Sequence, residues 1–315
     1  MQKRSAFSFT FTDDQIAKLC EICRAKPDFK ATNVAYASFS CKLVASCVVV
    51  NVFPQRNQVV FAGKGAPEFI EFEVEPKITG ACGGLPAEMF ELHAGLDESG
   101  KGDLFGPVVT ACVVAGGNTL REWLDYGVRD SKKVADKKIF ALDKMIRATP
   151  GAFVKTAWTH DYNKAYAHCG NNLNKMLASV HAASLGGALE AAVAAGAVPA
   201  WGLLDQFSVS PTLRRQIESA GADAGIENFE LKMRPRAEDD IAVAAASIVA
   251  RAFFLRKIAA LSKKARVKLP LSSGAEAKAA AVEVFRKNGE ARFGEFVKLN
   301  FKTAAEAAAI AQRGA

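Results

Sequence analysis

The sequence predicts an α/β protein that carries a small α+β domain at its N-terminus. Up to residue 62, strands with apolar residues at alternate positions surround one helix. Beyond residue 86, apolar strands and helices alternate along the chain, as they do in α/β domains. The stretch between these patterns, residues 80–86, has the glycine and proline content of a linker. We therefore expect two domains, residues 1–85 and residues 86–315.

The N-terminal part begins with a strand in which Phe7, Phe9 and Phe11 alternate with polar residues. Alternation shows only that one face is apolar, so these rings either pack a core, which we favour, or form a platform for stacking bases. Thr12-Asp-Asp-Gln15 is a capping box and predicts a helix that follows at once. Two β-rich runs come next, residues 34–52 and 58–62.

The second part alternates strands and helices as far as residue 260. The predicted strands are 92–97, 107–115, 153–158 and 201–205, and the predicted helices are 136–148, 172–195, 240–260 and most of 275–312. The helix over 240–260 is rich in small residues, which permit close packing against a neighbour.

The net charge of +8 is concentrated in the C-terminal third of the chain. Residues 251–302 contain thirteen Lys or Arg against four Glu, whereas residues 1–80 contain ten against eight Asp or Glu. Such a surplus is typical either of a solvated surface or of a surface that binds a polyanion.

The seven cysteines are scattered, and only Cys20 and Cys23 form a close pair. No second pair stands at zinc-site spacing, and the two thiols share one helical face with apolar residues, so we expect buried core thiols. Free thiols, the lack of a signal peptide and the lack of a membrane-spanning segment predict a cytoplasmic protein.

Carboxylates at the ends of two predicted strands are the most informative feature. Asp97 and Glu98 follow one strand, Asp205 ends another, and an acidic triplet at 238–240 precedes a helix. Because the ends of neighbouring strands meet at one edge, these groups converge there and would repel each other without a cation. Oxygen ligands suit Mg2+, and two such ions can cleave a phosphodiester. For any one of these carboxylates alone, helix capping or pairing with lysine is the favoured explanation, whereas the pair at 97–98 together with Asp205 fits a metal site equally well.

Gly100, Lys101 and Gly102 follow the first carboxylate pair directly. They do not match a nucleotide-binding glycine motif. They are typical either of a tight turn or of a loop whose backbone groups approach a sugar and bind its 2′-hydroxyl.

Four motifs resemble those of ribonuclease HIII and occur in the same order. They are GLDESGKGDLFGPVV (95–109), RDSKK (129–133), LLDQF (203–207) and AVAAASIVAR (242–251). The first is specific, because the related ribonucleases HII have Gly-Arg-Gly in place of Gly-Lys-Gly. YASFSCKL (36–43) and VVFAGKGAPEF (59–69) resemble the TATA-binding-protein-like domain of the same family.

This resemblance implies a ribonuclease-H-like mixed sheet with flanking helices, and a small N-terminal α+β, TATA-binding-protein-like domain that binds substrate. The implied reaction is endonucleolytic hydrolysis of the RNA strand of an RNA–DNA hybrid, with 5′-phosphate and 3′-hydroxyl products. The expected cofactor is Mg2+ or Mn2+. The hybrid is the expected partner, for a monomer that needs no other protein.

The resemblance also assigns roles to individual residues. Asp97, Glu98 and Asp205 match metal-binding carboxylates. Gly100, Lys101 and Gly102 match the loop that reads the 2′-hydroxyl, and Ser131 and Lys132 match a phosphate-contacting segment, with Asp130 structural. Glu238 is the match for a fourth carboxylate, although Asp239 and Asp240 stand close enough to compete and a helix N-terminus favours any of the three.

Two other functions remain open on the sequence. One is incision at single ribonucleotides in DNA, as in ribonucleases HII. The other is a non-catalytic nucleic-acid-binding protein whose carboxylates are structural.

Overall fold

The computed structural model describes residues 6–79, 87–128, 131 and 134–313. The chain forms two compact units, Met1–Met89 and Phe90–Ala315. The stretch at 80–86, which the sequence predicts to be a linker, lies outside the described residues, as do Asp130 and Lys132.

The first unit is a five-stranded antiparallel sheet with helices. The strand order is β1-β5-β4-β3-β2. The strands are β1 Ala6–Thr10, β2 Phe29–Ala31, β3 Phe39–Leu43, β4 Val48–Phe53 and β5 Gln58–Ala62. The helices are α1 Asp13–Arg24 and α2 Ala66–Phe69, which continues as a π-helix over Ile70–Thr79. The α+β class is thus confirmed, whereas the likeness to a TATA-binding-protein domain stays a prediction.

Local signals in this unit act as expected. The capping box starts α1, because Thr12 Oγ1 accepts from the Gln15 amide at 3.3 Å and Gln15 Oε1 accepts from the Thr12 amide at 3.0 Å. Phe7 and Phe9 pack against the same core that buries Phe11, which favours the core role of these rings. Cys20 and Cys23 are buried free thiols, again as expected.

The second unit is built on a mixed five-stranded sheet of order β10-β9-β6-β7-β8. The strands are β6 His93–Ser99, β7 Val109–Ala115, β8 Phe153–Trp158, β9 Trp201–Asp205 and β10 Glu230–Arg234. β10, β9 and β6 are parallel, whereas β7 and β8 run antiparallel to their neighbours. The predicted bounds of β8 and β9 are confirmed, and β10, a short and charged edge strand, escaped prediction.

Helices cover both faces of this sheet. They are α3 Asn118–Asp125, α4 Asp136–Ala148, α5 Tyr162–His168, α6 Leu173–Ala194, α7 Pro211–Asp223, α8 Ile241–Ala265, α9 Ala275–Asn288, α10 Glu290–Phe293 and α11 Lys302–Arg313. α6 and α7 share a core with Leu96 and Leu204 on one face, and α8 lies on the other. By length and composition α6 is long and apolar enough to cross a membrane, but half of its most apolar stretch is buried inside the protein, as in a core helix.

α8 lies unusually close to β6. A β-carbon placed on Gly95 would stand 2.1 Å from the carbonyl carbon of Ala242 and 2.3 Å from the amide nitrogen of Val243. No side chain fits in that space, so the first turn of the helix rests on the backbone of the strand. Residues 241–250 of α8 are all buried, which is why this helix is built of small residues.

The N-terminus of α8 is fixed by a buried carboxylate. Asp240 is 1% exposed and its Oδ1 accepts from the amides of Ala242 at 2.9 Å and Val243 at 3.0 Å. His93 Nε2 lies 3.1 Å from the same oxygen, and its Nδ1 lies 2.7 Å from the Glu91 carbonyl oxygen. Asp240 therefore joins helix to sheet.

We predict that Gly95→Ala destabilises the second unit by about 3 kcal/mol, because the new methyl group meets backbone that cannot rotate away. Urea unfolding followed by tryptophan fluorescence measures this unit selectively, since Trp123, Trp158 and Trp201 all belong to it. Gly274→Ala is the matched control, because that position is open. If the two variants were equally stable, the close contact between β6 and the first turn of α8 would be contradicted.

Asp240→Ala should cost about 3 kcal/mol or more, because it removes the cap and leaves His93 buried without its partner. Asn172→Ala is the matched control. Asn172 caps α6 through the Lys175 amide at 3.1 Å in an exposed setting, so its loss should cost only about 1 kcal/mol. Both losses are measured by the same urea unfolding, and equal losses would show that the His93 contact adds nothing.

Candidate active site

Asp97 and Asp205 lie at the same edge of the mixed sheet. Each stands one residue beyond Leu96 and Leu204, which are paired across the parallel strands β6 and β9. Paired residues on parallel strands point to the same face, and neighbouring strands are about 4.8 Å apart. Since Leu96 and Leu204 face α6 and α7, strand alternation directs Asp97 and Asp205 toward the face covered by α8.

A short 3-10 helix, Ala237–Asp239, lies against the end of β9 on that face. Ala237 is fully buried with Leu203 and Val243. Its amide donates to Asp205 Oδ1 at 3.3 Å. This contact brings the acidic triplet next to the strand that carries Asp205.

Glu98 lies on the opposite side of the sheet from Asp97. Its Oε2 accepts from His181 Nε2 of α6 at 3.2 Å, and its Oε1 accepts from Lys101 Nζ at 3.4 Å. His181 is fully buried and stacks on the ring of Phe207, over which Lys101 also lies, 5.6 Å from the ring centre. The Glu98 carboxylate is therefore held by hydrogen bonds from two side chains, those of His181 and Lys101.

This environment keeps Glu98 ionised. Burial alone would raise the pKa of its carboxyl, but the hydrogen bond and charge of His181 and the charge of Lys101 outweigh burial and hold the pKa below its ordinary value. Asp97 Oδ1 accepts from the amide of Glu98 at 2.7 Å.

The three members of the acidic triplet have different partners. Asp240 is the cap of α8. Asp239 is exposed and forms an ion pair with Arg234 of β10. Glu238 is half-buried, and within the described residues its carboxylate makes no hydrogen bond or ion pair. Of the three side chains, that of Glu238 is the one not engaged elsewhere.

The glycine loop, residues 100–103, follows β6 at the same edge. Gly100 has a φ of +87°, and a β-carbon there would lie 2.3 Å from the Pro107 carbonyl oxygen, so the fold itself requires glycine. At Gly102, by contrast, a β-carbon would have no atom within 4 Å of it apart from those of its chain neighbours. The fold gives no reason for glycine at 102.

Ser131 lies beside α8, where its hydroxyl is 2.7 Å from that of Ser247. Ser131, the described residue of the motif 129–133, therefore contacts the motif 242–251. Lys132, the other predicted phosphate contact, lies outside the described residues.

The donor set at this edge fits a hard divalent cation in its chemistry, because every candidate ligand is a carboxylate oxygen. Within the described ranges, however, no three His, Cys, Asp or Glu side chains stand close enough together to hold an ion. Glu98 is turned toward His181 and Asp205 toward the Ala237 amide. Hydrogen bonds from protein donors of this kind stabilise carboxylates that would otherwise repel each other.

Sequence reasoning missed two histidines that contact acidic residues here. His181 reaches Glu98 from α6, and His93 reaches Asp240 across 147 residues. Neither stands at a recognisable ligand spacing. The available signal for His181 was a polar side chain on an Ala-rich helix that is otherwise buried on that face.

Comparisons with known proteins identify the family of the chain. The sequence model of the family described as Ribonuclease HII matches residues 94–304. Ribonuclease HIII of Chlamydia pneumoniae is 35% identical over 262 residues, which cover 82% of this chain and 84% of that protein. Ribonuclease HIII of Protochlamydia amoebophila is 34% identical over 279 residues, or 87% and 88% of the two chains.

Among solved structures, that of Bst-RNase HIII in complex with Mn2+ is similar over 98% of this chain and 100% of that chain, with 26% identity and a TM-score of 0.63. The resemblance carried by the four motifs and the expected ribonuclease-H-like mixed sheet are both confirmed. The chain therefore belongs to the type 2 ribonuclease H family, with ribonucleases HIII among its relatives, and it is a ribonuclease H.

Proposed function

We propose that this protein hydrolyses the RNA strand of an RNA–DNA hybrid endonucleolytically, leaving 5′-phosphate and 3′-hydroxyl ends. The observation that carries the proposal is the juxtaposition of two elements at one sheet edge. Asp97 and Asp205 lie there on neighbouring parallel strands, and the glycine loop begins two residues after Glu98. The carboxylates proposed to cleave the phosphodiester therefore lie next to the loop proposed to recognise the sugar.

Asp97, Glu98, Asp205 and Glu238 are the residues that would hold two Mg2+ or Mn2+ ions. The all-oxygen donor set supports this, as does the Mn2+ complex of the similar Bst-RNase HIII. When bound, the ions would activate water and stabilise the leaving oxygen. Glu98 is kept ionised by His181 and Lys101, so it is ready to bind a cation without first losing a proton.

The glycine loop would bind the ribose. The open space at Gly102 supports this role, since a residue without a side chain leaves its backbone accessible to a 2′-hydroxyl. Lys101 lies next to it and, 37% exposed, can exchange its contact with Glu98 for a phosphate. Because DNA lacks the 2′-hydroxyl, this loop would direct cleavage to RNA.

Other parts of the chain would supply affinity. Ser131 and Lys132 are proposed to contact a phosphate, and the basic surplus of residues 251–302 would attract the hybrid backbone. We also retain the proposal that the first unit binds substrate, because its sequence offers basic residues and no carboxylate cluster of the kind found in the second.

The direct test is cleavage of a labelled RNA–DNA hybrid with Mg2+ or Mn2+, compared with a DNA duplex that carries one ribonucleotide. Cleavage of the hybrid alone supports the proposal. Cleavage confined to the single ribonucleotide would favour the ribonuclease HII type of activity instead, and binding of either substrate without cleavage would leave only a nucleic-acid-binding role.

Asp97→Asn and Asp205→Asn should each lower the rate of hybrid cleavage by about a hundredfold or more, a barrier increase of ~2.7 kcal/mol, because each removes one proposed ligand charge. Single-turnover cleavage measures this loss. Hybrid affinity, measured without divalent ions, should stay within about threefold. Glu306→Gln is the control for lost charge, because Glu306 of α11 is a carboxylate paired with Lys278 and Lys302. If the Asp variants cleaved the hybrid as fast as Glu306→Gln does, the assignment would be contradicted.

Two further variants distinguish between Glu238 and Asp239 of the acidic triplet. Glu238→Gln should lower the cleavage rate at least about tenfold, or ~1.4 kcal/mol, because among the described residues this carboxylate of the triplet makes no hydrogen bond or ion pair and lies beside the end of β9. Asp239→Asn should leave the rate within about twofold, since Asp239 is exposed and its partner is Arg234.

Both variants are assayed on the hybrid at saturating Mg2+ and again across a Mg2+ titration. A loss in Glu238→Gln that more Mg2+ partly restores supports a ligand role. The reverse pattern, with loss in Asp239→Asn and none in Glu238→Gln, would place the fourth ligand at 239.

A further inference from the structure

Lys298 is a buried cation that the proposed chemistry does not use. It lies in the short segment between α10 and α11 and is 1% exposed. Its ammonium donates to the carbonyl oxygen of Gly100 and, at 2.8 Å, to that of Asp103. These carbonyls are the two ends of the glycine loop, 198 and 195 residues earlier in the chain.

Keeping an ammonium in this position is costly. Burial lowers the pKa of Lys298 to about 7, against the opposing influence of Asp103. Among the described residues its Nζ forms no ion pair, and the rings of Tyr162 and Phe301 also lie near it, 4.9 and 5.8 Å from Nζ to ring centre. An apolar side chain would fill such a site at lower cost. We therefore attribute the presence of an ammonium here to its hydrogen bonds with the two carbonyl groups.

The segment that carries Lys298 is itself held in place. We call residues 294–299 the C-terminal brace. Asn163 of α5 donates from Nδ2 to the Gly294 carbonyl at 2.9 Å and to that of Val297 at 2.8 Å, and it accepts from the Leu299 amide at 2.9 Å. One side chain thus fixes three backbone groups of the brace.

The brace also contacts the loop region through its backbone. The Lys298 amide donates to the Leu104 carbonyl at 3.0 Å, and Phe105 and Val297 form an antiparallel bridge. Backbone pairing sets the position of the brace beside residues 104–105, and the ammonium then reaches back to the loop. A continuous set of hydrogen bonds leads from Asn163 to Gly100.

The two carbonyls that Lys298 binds flank Lys101 and Gly102. A loop of four residues whose first and last carbonyls are both fixed has little freedom left for the peptide groups between them. Those peptide groups are the ones proposed to meet the ribose. A backbone recognition site needs such fixing, because small displacements weaken hydrogen bonds steeply.

We propose that Lys298 is a positioning residue that fixes both ends of the glycine loop and thereby sets the preference of the protein for ribose over deoxyribose. Asn163 supports it by holding the brace. The inference rests on the proposed function, since it concerns how strictly the same site reads the sugar. Lys298 acts through the loop and does not contact the substrate.

The test compares Lys298→Met, which keeps an unbranched side chain of similar length and removes every donor, with the wild-type chain. Dissociation constants are measured for an RNA–DNA hybrid and for a DNA duplex of the same sequence, without divalent ions so that neither is cleaved. The preference for hybrid should fall at least about tenfold, with affinity for DNA within about twofold. Lys164→Met, which removes an 88% exposed lysine of α5, should leave both constants unchanged.

Hydrogen exchange gives a readout that does not depend on nucleic acid. Amides of residues 100–103 should exchange at least about tenfold faster in Lys298→Met, while those of β6 and α8 keep their protection. Asn163→Ala should produce the same pattern at smaller amplitude. If Lys298→Met does not fold, this second variant decides the question by the same two measurements.

An unchanged preference and unchanged exchange at 100–103 in the folded variants would overturn the inference. A wild-type chain that binds hybrid and DNA duplex equally would instead overturn sugar reading by the proposed function. Faster exchange of the loop with an unchanged hybrid preference would show that Lys298 orders the loop without setting specificity, which also overturns the inference as stated.

Discussion

The absence of a side chain at Gly95 is the constraint on which the site depends. It lets the first turn of α8 rest on the backbone of β6, with 2.1 Å between an added β-carbon and the Ala242 carbonyl carbon. Asp97 lies two residues along that strand, and Glu238 lies a few residues before that helix. The separation between the two carboxylates is therefore set by backbone packing, and the buried Asp240–His93 contact secures the same junction.

The carboxylates are divided between the two faces of one sheet. Strand alternation directs Asp97 and Asp205 toward α8, whereas Glu98 meets His181 on α6. This division limits the repulsion between groups that are close in sequence, and it gives each a separate protein donor. A cation at the edge would offer all of them a shared partner in place of those donors.

Local patterns in the sequence predicted the local parts of the structure. The capping box at Thr12 and the bounds of β8, β9 and α4 depend on neighbouring residues, and these predictions are confirmed. The motifs placed Asp97 and Asp205 at one edge because strand ends carry their own signal. What escaped prediction depends on distant contacts: the pairing of His181 with Glu98 spans 83 residues, and that of Lys298 with Gly100 spans 198. Such partners have no periodicity or spacing to reveal them.

The position of the C-terminal brace also bears on the order in which the protein is made. The ribosome releases β6, β7 and β9 well before residues 294–299, so the sheet edge with Asp97 and Asp205 can form while the glycine loop still lacks its support. During synthesis, the carboxylates would thus be assembled before the loop that is proposed to distinguish sugars. On the proposed roles, synthesis of the brace after β9 would give this sheet edge its selectivity for ribose.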